Sequence, residues 1–228
     1  MDRKIIIGHL FKDQLNSYGD GGNVEVLRTR LKERNIAVKV REYAINENID
    51  FDELDIIYIG GGRIRETRLV VDCLRDWTEE LKTYIESGKV LLVTGKSLSI
   101  FGKAYINPLE EIPGLGILNM VTEKLEEELE GQVMIESAIE NRNLKLIGYQ
   151  SIDQCYNHDY PELAEGEGLI YKHMLGTSLH GPVLAKNSEL ADILIKWACD
   201  KKYGNMRLTN LNDHLENKLR KTIDKKNV

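Results

Sequence analysis

Residues 89–106 read KVLLVTGKSLSIFGKAYI. An apolar run, Val90 to Val93, stops at Thr94-Gly95, and apolar residues return at helical spacing at Leu98, Phe101 and Tyr105. A buried strand that turns straight into a helix is the building unit of α/β proteins. Its turn lies at the carboxyl edge of the sheet, where such proteins gather their chemistry.

The flanking sequence repeats the unit. Lys4 to His9 reads as a short strand, and Gly22 to Arg34 as a helix with Val24, Leu27 and Leu31 on one face. Ile36 to Arg41 alternates apolar and polar residues as a second strand. The run DIIYIG, residues 55–60, is apolar enough for a strand covered on both faces of a parallel sheet. Glu66 to Ser87 reads as one long amphipathic helix closed by Gly88. The alternation predicts a mostly parallel, doubly wound sheet flanked by helices.

After Pro108 the pattern changes. Gly114–Ile117, Val133–Ile139, Leu144–Gln150 and Gly168–His173 read as shorter strands that extend the sheet in antiparallel fashion, and Leu175–Ser178 as another short strand. A last amphipathic helix runs from Asn187 to Tyr203, with Leu190, Leu194 and Trp197 inward. One domain over residues 1–204 is expected, followed by a charged tail over 205–228, read as a solvated helix with a frayed end.

Composition sets limits. The 228 residues carry 37 acidic and 31 basic side chains, a net charge of −6 without the clustered positive excess that nucleic-acid surfaces need. The N-terminal MDRKIIIGHLF is too short an apolar stretch for a leader or a membrane span. Cys73, Cys155 and Cys199 form no C-x-x-C pair, which fits a reduced, cytoplasmic chain better than a disulfide framework. No metal or other cofactor is expected, since His158 and His173 lack neighbouring ligands at metal spacing.

Two chemistries compete for the turn. Gly95-Lys96-Ser97 spells the end of a phosphate loop, but the first glycine of G-x-x-x-x-G-K-[ST] falls on Val90, inside the strand. No loop is left to wrap a phosphate. The other chemistry is a nucleophile elbow, in which backbone N–H groups stabilise an oxyanion. Gly95 supplies one small neighbour, Gly61 and Gly62 after DIIYIG suit a second N–H donor, and His180 in LHGP is a candidate base. Pro182 stands two residues after His180, so an orienting acid has to come from elsewhere. Cys155 and His158 read as loop neighbours rather than a dyad. SYGDGGN, residues 17–23, reads as a tight turn with Asp20 or Asn23 near a helix cap.

The segments IGGGRIRE, VTGKSLSIFGKAYI, GLGIL and LGTSLHGPVLAKNSELADILI, together with SYGDGGNVEVLR, resemble the CobB/CobQ-type class I glutamine amidotransferases. The likeness is closest to their GatD branch and extends over roughly residues 3 to 203. It implies a flavodoxin-like glutaminase fold and a heterodimer with a Mur-ligase-like partner of MurT type, acting on a cell-wall precursor.

The same resemblance implies a missing nucleophile. The family's cysteine matches Thr94, whose hydroxyl lacks the acidity and nucleophilicity of a thiol. The family's substrate-binding arginine matches Glu128, a carboxylate that would repel the α-carboxylate of glutamine. The main expectation is therefore a degenerate glutaminase subunit with a structural or regulatory role. Two alternatives stand beside it. Thr94 or Ser97 acts with His180 as an alcohol nucleophile, or the pocket beside Lys96, Arg63 and Arg65 takes a small anion.

Overall fold

In a computed structural model, which describes residues 3–224, the chain builds two sheets, a mainly parallel one to which both halves contribute and a second one formed by the later half. In the first half, β1 (Lys4–Leu10), α1 (Gly22–Glu33), β2 (Ala37–Tyr43), β3 (Ile56–Ile59), α2 (Ile64–Leu74), α3 (Thr78–Glu86) and β4 (Val90–Thr94) follow the expected alternation. The second half adds β5 (Ala104–Ile106), β6 (Glu111–Pro113), β7 (Met120–Ile139), β8 (Arg142–His158), β9 (Leu169–Tyr171), β10 (Met174–Thr177) and β11 (Leu179–His180). It closes with α4 (Val183–Lys186), α5 (Ser188–Tyr203) and α6 (His214–Asp224).

The main sheet has the order β2-β1-β3-β4-β10-β9, and every pairing is parallel except that of β9 with β10. Side-chain alternation on β4 shows why its sequence is apolar throughout. Val90 and Leu92 enter the layer holding α1 and α5, while Leu91 and Val93 enter the layer holding α2 and α3. A strand buried on both faces has no polar side to display.

Several expectations are corrected. The stretch from Glu66 to Ser87 is two helices separated by a 3₁₀ turn at Arg75–Trp77. The Thr78 hydroxyl donates to the Arg75 carbonyl at 2.9 Å, competing with the backbone, and the Trp77 ring turns onto Phe51. The helix after Gly95 is a 3₁₀ segment, Gly95–Phe101. Its first two carbonyls accept from side chains: Tyr156 Oη donates to Gly95 O at 3.2 Å and Ser99 Oγ to Lys96 O at 2.7 Å.

The expected antiparallel extension of the main sheet is present only as β9, within Gly168–His173, paired with β10. The other antiparallel strands form a separate sheet, β11-β8-β7-β5-β6, in which β5 and β7 pair in parallel. Its centre is one long hairpin, in which the expected strands Val133–Ile139 and Leu144–Gln150 are segments of β7 and β8. The loop Glu140-Asn141 has φ of 51° and 63°, the left-handed pair of a type I′ turn, whose twist matches paired strands. Gly114–Ile117 is a loop beyond β6. The tail lies against the core: Arg30 on α1 donates to Asp192 of α5 and to Asp213, each at 2.7 Å.

Candidate active site

Three strand ends meet at the carboxyl edge of the main sheet. β3 runs into Gly60-Gly61-Gly62, β4 ends at Thr94, and β11 carries His180. The residue that joins them is Asp20, in the turn before α1. Its Oδ2 lies 2.7 Å from His180 Nδ1 and accepts from Thr94 Oγ1 at 2.9 Å and from Gly61 N at 3.1 Å. Oδ1 accepts from Gly181 N at 3.2 Å. Asp20 and Thr94 are fully buried, and His180 nearly so. A buried carboxylate is tolerable only when its lone pairs are matched in this way.

Beneath this group lies Tyr58 of β3. Its hydroxyl donates to the Asp20 carbonyl at 2.8 Å, accepts from Asn23 Nδ2 at 3.0 Å, and sits 2.9 Å from Thr94 Oγ1. Burial first, and the Asp20 charge second, push the Tyr58 phenol well above its ordinary range, so it stays neutral. Asp20 stands where an acid orienting His180 would have to stand, a place that sequence order left open. Asp20 reads in sequence as a turn residue near a helix cap, and only the fold carries it 160 positions along the chain to His180.

The elbow differs in detail from its sequence reading. Thr94 has φ −115° and ψ 152°, ordinary extended backbone, and its hydroxyl proton is taken by Asp20. The left-handed residue of the turn is Gly95, at φ +63°. A Cβ on Gly95 would lie 2.2 Å from His180 Cε1 and 2.7 Å from Nε2, so the imidazole fills the space of any side chain there. Among the described residues, no hydrogen bond links Thr94 Oγ1 to His180. Ser97 is fully buried, and its Oγ has no hydrogen-bond partner among the described residues.

A cleft of about 470 Å³ opens above, bordered by Tyr18, Gly62, Arg63, Lys96, Glu128 and His180. Tyr18 is half exposed, has φ +56°, and tilts over the His180 ring with centroids 4.8 Å apart. Glu128 accepts from Ser151 Oγ at 2.9 Å and lies at the cleft wall, in an irregular stretch of β7 between Lys124 and Leu129. Lys96 is ion-paired with Asp153 at 2.8 Å and stands 3.9 Å from Glu128. Burial alone would raise the Asp153 carboxyl, but Lys96 and Lys124 outweigh it and hold it below its usual range. The structure thus brings together Thr94, His180, Gly61, Gly62, Gly95 and Glu128. Cys155 lies on β8, opposite Glu123 of β7, while His173 donates from Nδ1 to Gly88 O and stacks on Trp197. Among the described residues, no group of three His, Cys, Asp or Glu side chains is placed to hold a metal.

With this geometry in place, a family model for the CobB/CobQ-like glutamine amidotransferase domain matches residues 6–188. The chain belongs to that family. It is 39% identical over 212 residues to the GatD subunit of lipid II isoglutaminyl synthase (glutamine-hydrolyzing) from Staphylococcus aureus (strain N315), covering 87% of this chain and 86% of the relative. The GatD subunit from Streptococcus pneumoniae (strain ATCC BAA-255 / R6) is 28% identical over 214 residues, covering 87% and 82%. A crystal structure of a glutamine amidotransferase superposes with a TM-score of 0.56 at 17% identity, covering 84% of this chain and 98% of the other. That likeness bears on the fold, which is the mixed α/β glutaminase type expected from the sequence. Among the described residues, no helix is long and apolar enough to cross a membrane.

Proposed function

We propose that this family member is a GatD-like subunit that has lost glutamine hydrolysis. In this reading it serves a Mur-ligase-like partner of MurT type as a structural or regulatory subunit, in the cytoplasm, in amidation of a cell-wall precursor or a related ligation. The observation that carries the proposal is the elbow. Its left-handed residue, the one whose side chain would face His180, is Gly95 and has no side chain. The adjoining hydroxyl, Thr94, points to Asp20 and has spent its proton there. This favours moving the vacated nucleophile position one residue on from Thr94, to Gly95. Glutamine hydrolysis in this family runs through a thiol attack that neither residue can supply.

The identity of the relatives supports the setting, since both are subunits of a larger synthase. Glu128 beside Lys96 supports a cleft no longer tuned to an amino-acid carboxylate, because a carboxylate wall repels it. The test is glutamate release from glutamine by the purified chain, alone and with a Mur-ligase-like partner of MurT type. No release is expected in either case, while the complex should still form and use ammonium. Robust release that disappears in Thr94→Ala would sink the proposal.

A further inference from the structure

At the opposite end of the main sheet from the candidate site, the amino ends of β1, β3 and β4 border a groove of about 530 Å³. Six cations converge on it: Lys4, Lys39, Arg41, Lys89, Lys201 and Lys202. The parallel register sets Ile6 beside Lys39 and Gly8 beside Arg41, so Lys4, Lys39 and Arg41 alternate onto one sheet face. Lys201 and Lys202 come from the last turn of α5. In a chain of net charge −6, this concentration is local and runs against the overall balance.

The acids at the groove do not neutralise it. Glu53 is paired with Arg41. Asp55 pairs with Lys202 at 2.7 Å and accepts from Ile6 N at 2.7 Å. Asp52 lines the rim and is exposed. Among the described residues, Lys4, Lys39 and Lys201 have no carboxylate partner. Lys89 is held by the carbonyls of Phe51 and Asp52, at 3.0 and 2.7 Å, and burial lowers its pKa despite the nearby acids. Like charges brought together around a recess repel unless an anion neutralises them.

We propose that this groove is a binding site for a phosphate-bearing anion, separate from the glutaminase cleft. Four or more converging ammonium groups suit compact, multiply charged oxygen anions, since each offers a point charge rather than a planar fork. The recess is of small-molecule size. Free pyrophosphate-like ligands and phospholipid headgroups share this chemistry.

The test uses the full chain at physiological ionic strength. Isothermal titration with sodium pyrophosphate is compared with citrate, and co-sedimentation with phosphatidylcholine vesicles is compared with vesicles containing phosphatidylglycerol. Binding of pyrophosphate, of the anionic vesicles or of both is expected, with citrate weaker. The double substitution Lys39→Gln and Lys201→Gln should weaken binding by about tenfold or more, and Lys103→Gln, away from the groove, should leave it unchanged. Vesicle binding alone would assign a headgroup, and pyrophosphate binding alone a free ligand. Absence of both at millimolar concentration, citrate binding as tightly, or a double variant that binds like the parent would overturn the proposal.

Discussion

Asp20 and His180 stand 160 residues apart in sequence and 2.7 Å apart in space, and both are buried. Asp20 does more than orient the imidazole. Its carboxylate also receives the glycine loop after β3, the end of β4 and the backbone at Gly181. One side chain therefore fastens three strand ends to the turn before α1.

Asp20→Asn places an NH₂ group where donors converge. A buried carboxylate with this many partners is expected to cost about 2–4 kcal/mol when one polar role is reversed. Urea unfolding of parent and variant measures the difference. A loss below about 0.5 kcal/mol, the scale of an ordinary surface change, would mean that the carboxylate does not hold the loops.

Gly95→Ala adds a Cβ at φ +63° and 2.2 Å from His180 Cε1. Backbone strain and the clash together should destabilise by about 1–3 kcal/mol. The clash portion should be relieved in the double variant with His180→Ala, so the two effects should not add. Strict additivity in thermal or urea unfolding would place the Gly95 side-chain vector elsewhere.

The tail contact gives a pH dependence. Burial pushes the Asp213 carboxyl up, but its bonds to Arg30 outweigh this and its pKa is lowered on folding. A depressed carboxyl contributes stability above the unfolded value of about 4 and loses it as pH falls through the folded value. Asp213→Asn should therefore be less stable than the parent near neutrality, and the gap should close in the acid range below about pH 4. A gap that stays constant down to acid unfolding would remove the ion pair from the account.

The cysteines should differ in reactivity. Burial first, with Asp200 second, pushes the Cys199 thiol up to about 11, while Cys73 and Cys155 are partly exposed. Iodoacetamide near neutral pH should modify Cys73 and Cys155 well before Cys199, because the thiolate is the reacting form. Peptide mapping over time reads this directly, and early labelling of Cys199 would show that α5 opens.

Much of the fold was legible. The apolar run of β4 needs cover on both faces, and the alternation of strand and helix permits few topologies. The separate second sheet was not legible, because β7 carries long charged stretches such as Glu126-Glu127-Glu128 whose pairing depends on β8, not on their own pattern. The break near Trp77 was also hidden, since the helical spacing continues through it while a hydroxyl and an aromatic contact decide the geometry. In the site, His180, the glycine loop and the elbow were visible as local signals. Asp20 was not, as nothing local separates a catalytic-type acid from a capping one.

The sequence by itself determined the parallel α/β core, the position of its elbow and the lack of a thiol there, because burial and side-chain chemistry are properties of short segments. The tertiary structure alone decided that Asp20 meets His180, that Gly95 holds the left-handed point of the turn, and that six cations share one recess. Those are relations between distant segments, fixed by strand register and by which donors a buried carboxylate can gather.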